Sequence, residues 1–467
     1  MSIFLIKTLQ LLLCFALLIV LHEGGHFFFA KLFGIRVEKF FMFFDWKFHL
    51  FSTHDRWFAR LFPRLAKSET EYGLGWIPLG GYVKIAGMID ESLDLEQMRQ
   101  PAQPWEFRSK PVWQRFLVMV GGVLVNFLLA LFIYAMILFA WGRDTLPMRA
   151  VGDGFAYNAM ATAMGFEQGD IPVAVDGQPI VAWEGSVYRD ISEATVVTVL
   201  RQGREVDITM PAGGVNLLEM LDAEPRFLSV RVPSVIDTVM PGSPAAKAGI
   251  SRGHRIVAVE GQAVAWWGDF DAVMGRRADI LAAGCTPADS ARLRHLTVAV
   301  EREGRTDTLD LVLDANYQMG IYKTPYQLYY RDAYVHTDYS FLQAIPAGIR
   351  YGWETLGGYV SDLKYVFSRK GAQSVGSFGT IGSLFPAVWD WASFWNITAF
   401  ISLMLAFMNI LPVPGLDGGH ILFLIVEAVT RRPPSDKFME RAQYVGMALL
   451  LALMGLAVFN DIVKFLF

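Results

Sequence analysis

Four long apolar stretches restrict this chain more than any other feature. They run over residues 3–21 (continuing through 27–30), 116–141, 394–411 and 444–459. At about 1.5 Å per residue, each comes close to or exceeds the thickness of a hydrocarbon core, about 30 Å. In that medium a backbone must satisfy its own hydrogen bonds, so helices are expected. Composition agrees: only 18% of residues are charged, against about 25% in soluble proteins. A net charge of −4 gives a nucleic-acid partner no support. Cys14 and Cys285 lie far apart, one of them inside an apolar stretch, so no disulfide framework is expected.

The first stretch follows Lys7 and has the outline of a signal peptide. No small-residue cleavage pattern follows it, so it reads as an uncleaved span. Basic residues near the span ends set orientation. Lys31, Arg36, Lys39, Lys47, Arg56, Arg60, Arg64, Lys67, Lys110 and Arg115 lie between spans one and two; Arg431, Arg432, Lys437 and Arg441 lie between spans three and four. Both loops are expected in the cytoplasm, with the termini and the long middle region outside.

Residues 145–315 carry short apolar runs, glycine turns and scattered charge, and part of this region repeats. Residues 159–170 lead into Val173-Ala174-Val175-Asp176-Gly177-Gln178. Residues 241–250 lead through Gly253 into Ile256-Val257-Ala258-Val259-Glu260-Gly261-Gln262. In both, a short helix of small residues ends at glycine and a strand runs into an acidic-Gly turn. The two copies resemble tandem PDZ domains. Pro172 and His254 depart from that pattern. Such a domain binds a peptide C-terminus or strand by edge addition; the alternative is a spacer or steric filter. A run of tyrosines (Tyr322, Tyr326, Tyr329, Tyr330, Tyr334, Tyr339) then suits a membrane interface. Residues 341–367 have helical apolar periodicity, which fits a helix lying on the outer interface or one packed on the soluble domain beside it.

The chemistry is carried by His22-Glu23-Gly24-Gly25-His26. Histidines four apart share one helix face and can converge on one ion, and Glu23 can reach a metal-bound water as general base. Groups this polar near membrane depth are functional by default. Paired glycines within a helix cost about 2 kcal/mol against alanine, which suggests that another backbone or a substrate must come close. A catalytic zinc site takes three protein ligands and leaves the fourth place to water. Asn409-Ile410-Leu411-Pro412-Val413-Pro414-Gly415-Leu416-Asp417-Gly418-Gly419-His420 breaks the third span and offers Asp417, with His420 as a rival. Asn409 could donate to a developing oxyanion or bond a carbonyl freed by Pro412.

His-Glu-x-x-His in span one, Asn…Pro-x-Pro-x-Leu-Asp-Gly-Gly in span three and PDZ-like domains between them resemble the site-2 protease family. The likeness extends to Ile77-Pro78-Leu79-Gly80-Gly81-Tyr82-Val83-Lys84 and to residues 454–461. It implies Zn2+ held by His22, His26 and Asp417, with Glu23 as base. It also implies single-span membrane substrates (an anti-sigma factor or remnant signal peptides) already trimmed outside the membrane. The other function weighed is a catalytically silent membrane-bound PDZ adaptor for exported protein ends; the intact His22, Glu23 and His26 argue against it. A transporter would need paired hydrophobic repeats, and the sequence has none.

The expected architecture is a polytopic α-helical membrane protein with four transmembrane helices, a cytoplasmic membrane-associated β-hairpin region and two inserted PDZ-like α+β domains. Its parts are residues 1–34 (span one), 35–110 (cytoplasmic loop with the β segment), 111–142 (span two), 145–225 and 226–315 (PDZ-like), 316–390 (Tyr-rich linker and interfacial helix), 391–430 (span three with the Asp417 motif) and 440–465 (span four). The hairpin is expected at residues 72–85, where its edge could pair with an unwound substrate. The expected location is a bacterial inner membrane, with the PDZ-like domains periplasmic and the active site near the cytoplasmic side. Lipid is the remaining expected partner.

Overall fold

A computed structural model describes residues 2–78, 80–88, 101–284, 286–366 and 368–466. Leu79, Cys285 and the 90–100 part of the cytoplasmic loop lie outside the described residues. Two compact units form, residues 1–142 with 338–467, and residues 143–337.

In the first unit, among the described residues, four helices are long and apolar enough to cross a membrane: Ile3–Leu32, Val112–Trp141, Trp391–Ile410 and Lys437–Phe465. They are called spans 1 to 4 below. Spans 1, 2 and 3 share cores of small and branched residues. Cys14 and Leu18 pack with Phe394 and Ile401, and Ala130, Ile133 and Tyr134 pack with Ala399 and Leu403. Cys14 is buried and free. Spans 1 and 2 touch backbone to backbone, because a Cβ on Gly25 would overlap the carbonyl of Gly121.

The loop after span 1 folds as a four-stranded sheet of β1 (Val37–Met42), β2 (Phe51–Ser52), β3 (Glu71–Leu74) and β4 (Tyr82–Ile85), in the order β2-β3-β1-β4. This corrects the expected hairpin at 72–85. β3 pairs with β1 in parallel and β4 pairs with β1 antiparallel, so β1 separates the two. Period-two alternation identifies strands but does not say which neighbour each one takes. The sheet packs along span 1: Phe27 meets Phe40 and Tyr72, and Gly81 abuts Ile19.

The helix expected at 341–367 forms as Phe341–Val366. It packs on span 2. Phe341 meets Phe139, Gly348 meets Ala135, Gly352 meets Leu131, and Trp353 meets Phe127. These pairs run antiparallel over twelve residues, about 18 Å of helix. Buried Ala344, Gly348 and Gly352 form the small-residue stripe that permits the approach. Span 4 is fastened to the segment before span 3. Asp461 accepts hydrogen bonds from Ser377, Gly379 and Thr380, and Asn460 donates to the carbonyls of Ala372 and Val375.

The second unit holds two four-stranded sheets of matching order. One runs 204–209, 196–201, 171–175, 178–179; the other runs 305–312, 295–302, 255–259, 262–263. Strands 171–175 and 178–179 precede their counterparts by 84 residues, whereas 196–201 and 204–209 precede theirs by 99 and 101. Pro172 borders a register shift between Pro172 and Ala174, and the second copy has its own shift between Ile256 and Ala258. A bulge there tolerates a residue without an N–H. His254 does the work of an aspartate: its Nδ1 accepts from the N–H of Ser251 at 3.3 Å, as Asp170 accepts from Glu167 at 2.8 Å.

Two expected boundaries shift. Leu228–Val230 pairs with Phe155–Tyr157, so the first half extends past residue 225. The Tyr-rich segment contributes strands to the second unit. Ile321–Lys323 pairs with Ile236–Val239, Val335–Thr337 pairs with Arg143–Thr145, and Tyr329 and Tyr330 both donate to Asp153. Burial and the Asp153 carboxylate push the phenol of Tyr330 above its ordinary pKa, so it stays a donor. Tyr329 and Tyr330 are thus anchored by hydrogen bonds, which composition alone does not reveal.

Candidate metal centre

His22 and His26 lie one turn apart on span 1, with their rings edge to face and their Nε2 atoms 3.4 Å apart. Each ring is held from behind by span 2. The carbonyl of Val118 lies 2.8 Å from Nδ1 of His26; a carbonyl only accepts, so that nitrogen carries the proton and Nε2 keeps its lone pair. The amide of Asn126, fully buried, lies 3.2 Å from Nδ1 of His22, and its Oδ1 has no hydrogen bond. Nitrogen and oxygen of such an amide exchange places by a half-turn. With Oδ1 toward the ring, the amide accepts the Nδ1 proton and gives His22 the same tautomer as His26. Val118, Gly122 and Asn126 are spaced by four, so one face of span 2 backs both histidines. At the middle position, a Cβ on Gly122 would overlap Nε2 of His26 and come within 2.7 Å of His22.

The two glycines of the motif differ in need. Gly25 is required by the crossing with Gly121, whereas a Cβ on Gly24 would meet nothing within 4 Å.

Asp417 arrives from the broken helix after span 3. Pro412 and Pro414 end the span, Gly415 takes a φ of +95°, and a new helix, Asp417–Thr430, starts at the aspartate. Gly418 and Gly419 lie against backbone of the turn, with a Cβ on Gly419 only 2.7 Å from Pro414. Side chains there would push the turn away from the helix it starts. A bidentate pair between Arg115 of span 2 and Glu427, at 2.6 and 3.1 Å, fixes the helix further along.

The outcome is convergence. Oδ2 of Asp417 stands 3.2 Å from Nε2 of His22 and 3.4 Å from Nε2 of His26. That oxygen is buried and has no hydrogen bond. Among the described residues, His22, His26 and Asp417 form the group that could hold a metal ion. The spacing fits zinc: tetrahedral bonds of about 2.0–2.1 Å place ligand atoms about 3.3 Å apart. Two neutral imidazoles and a carboxylate are a common catalytic donor set, and a bound cation would satisfy the orphaned oxygen.

Glu23 is half-buried, within electrostatic range of all three and beside the backbone of Val83 in β4. β4 is an edge strand of its sheet. Asn409 sits in the last turn of span 3, half-buried and without a hydrogen bond to the three. His420 lies outside the convergent group, with its ring edge-on to Phe423 at 6.5 Å. The sequence reading missed Asn126. A lone asparagine inside an apolar span is the signal that could have found it, because such a group is costly without a partner.

Comparison with known proteins identifies the family. The model of peptidase family M50 matches residues 10–453. The chain is 28% identical to the regulator of sigma-E protease RseP of Escherichia coli K12, with 98% of each chain covered. It is 26% identical to a Neisseria meningitidis protein named "Putative zinc metalloprotease NMA0084", with 97% of this chain and 98% of that one covered. It is 27% identical to the regulator of sigma E protease of Haemophilus influenzae, again with 97% and 98% covered. With a match over nearly its whole length, this chain belongs to peptidase family M50 and is a membrane zinc metalloprotease of the site-2 type.

Proposed function

We propose that this protein hydrolyses peptide bonds within single-span transmembrane substrates, with Zn2+ held by His22, His26 and Asp417. The observation that carries this is the tetrahedral spacing of three ligand atoms, two of them on a helix built to span a membrane. His22 lies ten residues short of the end of span 1, about 15 Å along the helix. Zinc there would supply an acidified water at neutral pH and a Lewis acid for the scissile carbonyl.

Glu23 then acts as general base, taking a proton from the attacking water and returning it to the leaving amine. Val118 and Asn126 hold the imidazoles with their lone pairs facing the cation. Asn409 is assigned to the developing oxyanion, to which its amide could donate. A transmembrane helix hides its peptide bonds and must unwind to be cut. The edge strand β4, passing Glu23, would offer backbone hydrogen-bonding groups to such an unwound segment.

The wider assignment rests on the relatives. Two of them are named as regulators of sigma E, which favours an anti-sigma factor as substrate; remnant signal peptides have the same single-span chemistry. Substrates would arrive already trimmed outside the membrane. The halves of the 143–337 unit are assigned as PDZ-like domains that screen or bind exported peptide ends, on the periplasmic side of a bacterial inner membrane. The metal then lies toward the cytoplasmic side, where the basic loops place the ends of spans 1 and 2.

Cleavage of a tagged single-span substrate in reconstituted vesicles tests this. Wild type should cut within the span and Glu23→Gln should not; undiminished cleavage by Glu23→Gln would refute the mechanism.

A further inference from the structure

The stretch between β2 and β3 takes no part in the metal centre, yet it exposes an unusual surface. After β2 the chain forms two short helices, Arg56–Leu61 and Pro63–Ala66. Phe58 packs inward between Phe51 and Phe62. Trp57, Leu61, Phe62 and Leu65 point outward, each about half exposed or more (48–66%). Interleaved with them are Arg56, Arg60, Arg64 and Lys67, all exposed and none in an ion pair with a described residue. From 46 to 67 the sole acid is Asp55, and it is engaged by His49 at 3.1 Å and by the N–H of Ser52. An apolar patch rimmed by unpaired cations is unfavourable in water and favourable at a charged lipid boundary.

Strand register gives its depth. Thr53, just past β2, donates to the carbonyl of Tyr72, and the Tyr72 ring lies 6.0 Å from Phe27 of span 1. Phe27 is five residues from the end of that span at Leu32, about 8 Å along the axis. The two helices therefore start level with the last turns of span 1. The other end of the sheet reaches deeper, where Gly81 abuts Ile19 and exposed Phe48 and Trp76 stack on each other.

We propose that residues 56–67 dock on the headgroups of anionic lipids at the end of span 1, with Trp57, Leu61, Phe62 and Leu65 entering the acyl boundary and the four cations binding lipid phosphates. Charge complementarity selects anionic over zwitterionic lipid. The dock holds β2, one edge of the sheet whose opposite edge, β4, passes Glu23. The inference rests on the membrane placement of the chain and is independent of the metal chemistry.

A nitroxide on Leu61→Cys, in the full chain with Cys14 and Cys285 replaced by alanine, tests it in nanodiscs of phosphatidylcholine with or without phosphatidylglycerol. With phosphatidylglycerol, the label should be accessible to oxygen and shielded from a water-soluble nickel chelate. Shielding should weaken in phosphatidylcholine alone and disappear in the Arg56→Gln, Arg60→Gln, Arg64→Gln variant. Retained zinc content certifies that this variant is folded. Equal shielding in both lipids, unchanged in the variant, would leave an apolar anchor and overturn anionic selection. A label open to nickel in both lipids and immobilised only by a soluble cell extract would assign the surface to a protein and overturn the proposal. Loss of substrate cleavage with lipid-dependent shielding intact would count against the proposed reaction and leave this inference standing.

Discussion

The imidazole of His22 and the amide of Asn126 face each other at 3.2 Å across the crossing of spans 1 and 2, with the opposite ring nitrogen of His22 aimed at Asp417. The orientation of the His22 imidazole is thus set by a residue of another helix. Replacing Asn126 with leucine removes the acceptor for the Nδ1 proton and frees the ring tautomer. Zinc affinity, measured by chelator competition, should fall by about 10- to 100-fold, the range for lost partners of metal-bound histidines. Asn126→Asp, which still accepts that proton, should recover most of it. Equal losses in both variants would reduce Asn126 to packing.

The glycines of the motif should separate in a thermal unfolding series. Gly25→Ala must displace the carbonyl of Gly121, and overpacking of this kind costs about 1–3 kcal/mol. Gly24→Ala meets nothing within 4 Å and should be neutral or stabilising, because alanine favours helix by about 1 kcal/mol. The opposite order would contradict the helix crossing described above.

In the 143–337 unit, Arg201 holds buried Asp170 through two hydrogen bonds at 2.9 and 2.7 Å. The Asp170 carboxylate pushes the Arg201 guanidinium above its ordinary pKa. Arg201→Met would leave a buried carboxylate without its counter-charge, at a cost of about 3–5 kcal/mol. Hydrogen exchange should then speed up across the strands at 171–175 and 196–201, while protection of spans 1 and 2 is unchanged.

Sequence and structure agree best where one-dimensional pattern carries the physics. Apolar length located the four spans, and a four-residue spacing put His22 and His26 on one face. The repeat of residues 159–180 in 241–264 reappears as two sheets of matching strand order. What the sequence hid depends on partners distant along the chain. Alternation at 72–85 marked strands but could not show that β1 lies between them. The tyrosine run near 330 suits an interface by composition, which could not show the hydrogen bonds of Tyr329 and Tyr330 to Asp153. The periodicity of 341–366 was legible, whereas the small-residue stripe that turns it toward span 2 carries no apolar signal. Asp417 was readable as a carboxylate on a broken helix; its choice over His420 came from family likeness, and the distances now supply a physical reason.

The central claim is that His22, His26 and Asp417 form one zinc site, and metal stoichiometry on purified protein tests it most directly. Wild type, Glu23→Gln and His420→Ala should each carry zinc equimolar with the chain, and Asp417→Ala should lose most of it. Full zinc in Asp417→Ala, with loss in His420→Ala, would contradict the account.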